Sequence, residues 1–395
     1  MNQIENIQKD ILAKNMDAWI IVDYENKNQT LVRLLGNKML TRKIFLVIPA
    51  RGKSYLICHS IDTVFLQDER TKSIFDIHVY KTWQEMLELE KELFSSYKRV
   101  YMDVSSNGLL PRVSLADYGS VSFIKDLGIA VESSGDLLQM MTAVYSLNAR
   151  KLQLQADKLV LQIKDEAFKK IQELIKINGE TDEYTIQEFI CSRFKEEGMC
   201  YDDPPIVAIG SNANNPHYGP TKETHSSIKE GDLVLIDMWA KMDQEEGVYA
   251  DITWMGYVGK IVPKVYEDRF AILKKDIDLC LDFLAKELPL RDVKGYEVDD
   301  VSRAYIKEKG YGDYYIHRVG HNIAVDVSPH GPGVNMDNYE SHDDRTILNG
   351  VCFSLEPGIY AQDFGMRSET NVYIENRKPI VTAGRQDKII PIMAL

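Results

Sequence analysis

A stretch of 43 residues without glycine or proline, residues 136–178, sets the strongest limit on the fold. These 43 residues are rich in Leu, Lys, Gln and Ala, and an uninterrupted run of such residues is typical of helix. Gly179 follows the run directly, at the position where a glycine commonly caps a helix. The sequence therefore predicts helix here, in two segments, and we place a domain boundary near its start, between residues 145 and 146.

The residues before and after this boundary differ in their pattern. In residues 1–145, short apolar runs such as Ala18–Val22 and Ile44–Pro49 alternate with amphipathic stretches such as Trp83–Phe94, which indicates a small α/β domain. In residues 146–395, helices and short β-rich segments are mixed without repeated βαβ units, so we expect an α+β fold. The β-rich segments include the predicted strands Leu233–Asp237, Asp251–Val258, Phe353–Leu355 and Arg367–Ile374.

Charge and composition exclude several classes of protein. The formal net charge is −13, and all of this excess follows residue 150. The chain carries no basic stripe, so we expect no nucleic-acid partner. It has no apolar stretch of about 18–20 residues to span a bilayer and no apolar signal-peptide core. The five cysteines form no CxxC pair, which is typical of reduced thiols. We therefore expect a cytoplasmic protein with no membrane partner.

Five side chains that can ligate a metal lie where apolar runs meet turns or other strands, namely Asp237, Asp251, His321, Glu356 and Glu369. Taken singly, a carboxylate at a strand end is usually solvated or part of a turn, and a lone histidine more often has a structural role. Together, four carboxylates and one imidazole suit two adjacent divalent cations, because bridging carboxylates offset the repulsion between the metals. The set therefore indicates a two-metal site.

Several motifs resemble those of the pita-bread metallopeptidases. In chain order they are NNPHYG, LVLIDMWA with YADITW, HRVGHN, SLEPGIY and GMRSETNVYI. That family contains Xaa-Pro aminopeptidases, Xaa-Pro dipeptidases, methionine aminopeptidases and the metal-free creatinases. The resemblance implies a pita-bread catalytic domain in residues 146–395, preceded by a smaller α/β creatinase-like N-terminal domain in residues 1–145. The fold class is then α+β.

The resemblance also implies a role for each of the five ligands. Asp237 would chelate one metal, His321 would bind the second, and Asp251 and Glu369 would bridge both. Glu356 would bind the second metal and also take a proton from the attacking water, which would lie between the metals and ionise near neutral pH. We expect two divalent metal ions per chain, manganese first and cobalt, zinc or iron as alternatives.

Four further residues match positions in the family's substrate pocket, namely His217, His317, His330 and Arg367. His217 matches the histidine of a loop that approaches the substrate, and His330 the histidine that hydrogen-bonds the substrate carbonyl. By the same resemblance, His317 contacts the substrate and Arg367 orients carboxylates.

The sequence departs from the family pattern in two places. Asp237 and Asp251 are 14 residues apart, a few more than in most relatives, because Lys241–Glu246 forms a longer loop that would alter the site mouth. The family's next histidine comes seven residues after His321, where this chain has Ser328. His330 takes that place only if Ser328 and Pro329 form a two-residue bulge, so both positions stay open.

The resemblance favours a dinuclear-metal exopeptidase that hydrolyses the N-terminal peptide bond of short peptides, with an Xaa-Pro preference as aminopeptidase or dipeptidase. Another hydrolase on the same scaffold, methionine aminopeptidase-like or creatinase-like, is one alternative. A non-catalytic peptide-binding protein is the other, although such a protein would be expected to have lost metal ligands. Relatives are usually dimers, so we expect a homodimer.

Overall fold

The computed structural model describes residues 3–36, 38–361 and 364–395. It divides the chain into two compact units, residues 1–141 and 142–395. This division falls four residues before the predicted boundary, next to the end of a helix at Thr142. Among the described residues, no helix combines the length and the apolar character that crossing a bilayer requires.

The first unit is built on a six-stranded mixed sheet with the strand order β4-β3-β2-β1-β5-β6. Its strands are β1 (Ala18–Asp23), β2 (Ile44–Pro49), β3 (Ser54–His59), β4 (Phe75–Tyr80), β5 (Arg99–Met102) and β6 (Ala130–Ser133). Its helices are α1 (Gln3–Ala13), α2 (Gln29–Leu35), α3 (Glu69–Ile74), α4 (Trp83–Phe94), α5 (Tyr118–Asp126) and α6 (Gly135–Thr142). Strands β2 and β3 form an antiparallel hairpin.

The central strands of this sheet are buried on both faces, which explains their continuous apolar sequences. Along β1, Trp19 and Ile21 pack with residues of α1 and α2 on one face. Ile20 and Val22 pack with residues of α4 and α5 on the other. The first unit is therefore a layered α/β structure.

The second unit combines four long helices with several short sheets. Its helices are α7 (Leu147–Asn178), α8 (Glu183–Glu196), α9 (Lys264–Glu287) and α10 (Gly295–Glu308). Its strands are β7 (Glu180–Asp182), β8 (Met199–Cys200), β9 (Ile206–Ile209), β10 (Ser227–Lys229), β11 (Leu233–Met242), β12 (Ala250–Tyr257), β13 (Asn322–Ile323), β14 (Cys352–Leu355), β15 (Gly358–Ala361), β16 (Phe364–Arg367), β17 (Thr370–Glu375), β18 (Lys378–Val381) and β19 (Ile390–Pro391). Strands and helices are mixed, as expected for an α+β fold.

The glycine-free and proline-free run forms two helices, α6 and α7, as its composition predicts. Ser146 caps the start of α7 by accepting a hydrogen bond from the backbone N–H of Ala149. Gly179 ends α7 in the left-handed conformation, with φ of 81°. Val160 and Ile163 of this helix pack against the sheet of β11 and β12, so the long helix supports the strands that carry the first two candidate ligands.

Two strand predictions were wrong in their extent. The strand predicted over Leu233–Asp237 continues to Met242, because Met238, Ala240 and Met242 alternate as buried residues in the core beside α7. The single strand predicted over Arg367–Ile374 is two strands, β16 and β17, which pair with different partners. The break between them leaves Ser368 and Glu369 outside regular pairing.

Candidate active site

The hairpin of β11 and β12 brings the first two candidate ligands onto one face. Asp237 lies opposite Thr253, and Asp251 lies opposite Trp239. Residues directly opposite in an antiparallel pair share a face, and residues two positions apart on one strand share it too. Asp237 and Asp251 are therefore diagonal neighbours, although 14 residues separate them. Both lie inside strands instead of at strand ends, which corrects the expectation from the sequence.

The longer tip of this hairpin contacts the loop that carries His330. The Lys241 ammonium donates a hydrogen bond to the carbonyl oxygen of Asp326. The Tyr249 hydroxyl donates to the carbonyl oxygen of Val327 at 2.9 Å. Residues near the tip of the hairpin thus support the backbone at the mouth of the site.

His321 and Glu356 are joined by a serine that lies between them on a neighbouring strand. The Ser354 hydroxyl accepts a hydrogen bond from the backbone N–H of His321 and donates one to Glu356 Oε1, each at 3.0 Å. Gly320 makes this approach possible, because a Cβ there would lie 1.9 Å from the Ser354 carbonyl oxygen. The backbone N–H of Glu356 also donates to the Val319 carbonyl at 2.8 Å.

Glu369 occupies the break between β16 and β17 and faces the hairpin. Its backbone N–H donates to the Thr253 carbonyl at 3.1 Å, and its Oε2 accepts from the Thr253 hydroxyl at 2.8 Å. Its Oε1 is buried and has no hydrogen-bond partner among the described residues. The break therefore gives Glu369 a fixed direction and one carboxylate oxygen free for a ligand.

Three of the five candidate ligands converge most closely. One ligand atom from each of Asp251, His321 and Glu369 lies within 4.8 Å of the other two. His321 Nε2 is 3.4 Å from Asp251 Oδ2 and also 3.4 Å from Glu356 Oε1. Asp237 is not part of this closest group, and its carboxylate forms an ion pair with Arg367.

Arg367 is buried and has a partner for each of its three nitrogens. Nε donates to the Thr253 hydroxyl at 3.0 Å and Nη1 to the Tyr360 hydroxyl at 2.7 Å, while Nη2 faces Asp237. These contacts fix the guanidinium plane, and through it the orientation of the Asp237 carboxylate.

His317 is held as a neutral imidazole by the same network. Its Nδ1 is 2.7 Å from the Arg318 carbonyl oxygen, which can only accept, so Nδ1 carries the proton. Nε2 therefore accepts, and its partner at 2.8 Å is the Tyr360 hydroxyl. Burial, together with the charge of Arg367, lowers the pKa of His317 to about 3, which agrees with this assignment.

The carboxylates of the site repel one another in the absence of a cation. Burial and the charges of Asp237 and Glu356 raise the pKa of Asp251 well above its usual range. Burial and the charges of Asp251 and Glu356 do the same to the pKa of Glu369. Burial raises the pKa of Glu356 to about 7, although Arg367 and Arg318 oppose this shift. Bound cations would offset the repulsion between these carboxylates and favour their charged forms.

All nine residues predicted for the site line one cavity of about 450 Å³. They are Asp237, Asp251, His321, Glu356, Glu369, His217, His317, His330 and Arg367. His217 and His330 are exposed at the mouth, whereas His321 and Glu369 are each 2% exposed. The His330 ring lies against the His321 ring, with centroids 4.0 Å apart.

Sequence reasoning missed three residues that organise the site, Thr253, Ser354 and Tyr360. Each of these residues lies within one of the motifs given above, but its contacts in the site depend on pairing between strands that are distant in sequence. Thr253 could have been found from the register of a β11–β12 hairpin, since it lies opposite Asp237. Tyr360 and Ser354 carry no local signal that separates them from ordinary strand residues.

Comparisons with known proteins identify the family of the chain. Residues 158–376, more than half of the chain, match the model of metallopeptidase family M24. A putative Xaa-Pro aminopeptidase of Mycoplasma genitalium is 26% identical over 329 residues, which cover 80% of this chain and 85% of that protein. An Xaa-Pro dipeptidase of Lactobacillus helveticus is 32% identical over 190 residues, or 47% of each chain.

Solved structures share the fold over nearly the whole chain. Dipeptidase PepE from Mycobacterium ulcerans gives a TM-score of 0.63 at 17% identity and covers 98% of this chain and 96% of its own. A prolidase from Thermococcus sibiricus gives 0.57 at 22% identity and covers 98% of each chain. The predicted family and the pita-bread fold with a preceding α/β domain are confirmed. The chain belongs to metallopeptidase family M24 and is a metallopeptidase.

Proposed function

We propose that this metallopeptidase is a dinuclear-metal exopeptidase that hydrolyses the first peptide bond of short Xaa-Pro peptides. The observation that carries the proposal is the convergence of Asp251, His321 and Glu369 at the bottom of the cavity. The relatives named as Xaa-Pro aminopeptidase and Xaa-Pro dipeptidase support the proline preference.

The residues present fit a divalent metal centre. Glu369 Oε1 is buried without a hydrogen-bond partner in the described part of the chain, although burying such an oxygen is costly. His321 Nε2 is 3.4 Å from carboxylate oxygens of both Asp251 and Glu356. Oxygen donors with one imidazole are the ligands that manganese, cobalt and iron accept.

We propose that Asp237, Asp251, His321, Glu356 and Glu369 would hold two such ions. When bound, the ions would supply Lewis acidity and lower the pKa of water to near neutrality. Asp237 also fits this role because Arg367 already fixes its carboxylate in the cavity wall. Manganese and a homodimeric assembly stay predictions.

The protein side chains would provide the remaining chemistry. Glu356, with a carboxylate beside His321, would hold the proton removed from the attacking water and pass it to the leaving amine. His330 would donate a hydrogen bond to the carbonyl oxygen of the scissile bond. His217 would contact the substrate from the opposite loop, while His317 would act with Arg367 in substrate binding, since Tyr360 bonds to both.

The shape and charge of the cavity suit a short peptide with a free amino terminus. Its volume of about 450 Å³ falls in the range of small-molecule sites, roughly 300–1,000 Å³. Asp202, Asp203 and Glu340 line it beside the candidate ligands and are exposed. Such a wall attracts a protonated amino group.

The test is a manganese-supplemented assay of the dipeptide Gly-Pro and the tripeptide Gly-Pro-Ala, with Gly-Ala and N-acetyl-Gly-Pro-Ala as controls. We expect release of glycine from at least one Xaa-Pro substrate, about tenfold or more faster than from Gly-Ala, and no reaction with the blocked peptide. Cleavage of the dipeptide alone would identify a dipeptidase. Equal cleavage of the blocked peptide, or no metal-dependent cleavage of either proline peptide, would contradict the proposal.

A further inference from the structure

Two guanidinium groups line the cavity among the described residues, and they differ in their partners. Arg367 is fully engaged with Thr253, Tyr360 and Asp237. Arg318 lines the same cavity, and its guanidinium group contacts the His330 ring. This second arginine has no role in the proposed function.

The contact between Arg318 and His330 determines which ring nitrogen carries a proton. Arg318 Nη2 lies 3.3 Å from His330 Nδ1. A guanidinium has five donors and no acceptor, so this contact is a hydrogen bond only when Nδ1 accepts. The proton of the neutral His330 ring is then on Nε2, which is the tautomer that can donate to a substrate carbonyl oxygen.

Arg318 is itself held firmly from its other side. Its Nη1 donates to Glu340 Oε2 at 2.6 Å, and its backbone N–H donates to Glu340 Oε1 at 3.1 Å. Glu340 is anchored in turn by the buried Asp337, whose Oδ1 accepts the backbone N–H of Glu340 at 2.9 Å. A continuous chain of hydrogen bonds therefore runs from Asp337 to the His330 ring.

The His330 side chain is exposed, so contacts with neighbouring residues are needed to orient its ring. The loop backbone is held by Lys241 at Asp326 and by Tyr249 at Val327. These contacts are made to the main chain and do not involve the imidazole. Arg318 contacts the ring itself, on the nitrogen that does not face the substrate in the proposed function.

We infer that Arg318 is a positioning residue for His330. Its guanidinium group contacts Glu340 through Nη1 and His330 Nδ1 through Nη2. This arrangement would orient the His330 ring so that its Nε2–H points to the substrate carbonyl oxygen. The inference rests on the proposed function, because it gives His330 the contact with substrate. We expect that lysine cannot replace Arg318, because a single ammonium group cannot contact both Glu340 and His330 with the fixed geometry of a guanidinium group.

The test is a double-mutant cycle measured on the manganese-loaded enzyme with the faster Xaa-Pro substrate. We expect Arg318→Met and Arg318→Lys each to lower kcat by about 10- to 100-fold, less than loss of the whole donor. KM and metal content should stay near wild type. In the His330→Ala background, Arg318→Met should lower kcat by less than about twofold more, since coupled residues are not additive.

Arg291→Met is the matched control, because Arg291 pairs with Glu297 at 2.7 Å in the same type of ion pair and does not line the cavity. It should leave kcat unchanged. Wild-type kcat in Arg318→Lys, or full additivity of Arg318→Met with His330→Ala, would overturn the inference while leaving the proposed function intact. Full activity of His330→Ala would instead contradict the proposed role of His330 in catalysis.

Discussion

Glu369→Gln should abolish peptidase activity, with a loss on the order of 10⁴-fold in kcat/KM. The substitution keeps the size of the side chain but replaces a carboxylate whose Oε1 is buried without a hydrogen-bond partner in the described structure. A neutral amide cannot offset the charge of a cation, so metal content should fall together with activity. Initial rates and elemental analysis on the same preparation measure both quantities.

The matched control for this variant is Glu375→Gln, which removes an exposed carboxylate at the end of β17, the strand that follows Glu369. It should leave rate and metal content unchanged. His321→Ala should reproduce the loss, because His321 Nε2 lies 3.4 Å from two of the other candidate ligands. Full turnover by Glu369→Gln or by His321→Ala would refute the assignment of the site.

His330→Ala should lower kcat by about 10²- to 10³-fold, the usual cost of removing one preorganised donor to the developing oxyanion. Metal content should stay near that of the wild type, because His330 lies against His321 without being one of the converging ligands. Stopped assays over a range of substrate concentrations would separate kcat from KM.

Ser328→Ala is the companion experiment, because Ser328 stands seven residues after His321, at the family position of the histidine. The Ser328 hydroxyl accepts the backbone N–H of His330 at 3.3 Å, so we expect only a small loss in kcat. A severe defect in Ser328→Ala with a harmless His330→Ala would show that the two-residue bulge is the wrong alignment.

Local signals in the sequence were sufficient for several of the elements. The long run before Gly179 predicts α7 because helix propensity and the glycine cap agree. The apolar run before Asp237 predicts β11, and the alternation of buried residues then extends that strand to Met242. The motifs and their order were enough to identify nine residues that line one cavity in the structure.

Contacts between distant strands could not be predicted in the same way. Glu369 leaves regular pairing because β16 and β17 join different partners, and neither Ser368 nor Glu369 is a glycine or a proline, the residues that commonly mark such a break. The position of Thr253 depends on the hairpin register. The link from Arg318 to His330 depends on the loop that Glu340 anchors, so it appears only when the chain is folded.

The most direct measurement of the central claim is a calorimetric titration of manganese into the metal-free protein at several pH values. We predict two equivalents per chain and one or none in Glu369→Gln. Because burial raises the pKa of Glu356 to about 7 and also raises the pKa values of Asp251 and Glu369, protons compete with the metal for these carboxylates, so affinity should rise as the pH increases through about 7. Saturation at fewer than two equivalents, or wild-type binding by Glu369→Gln, would contradict the account.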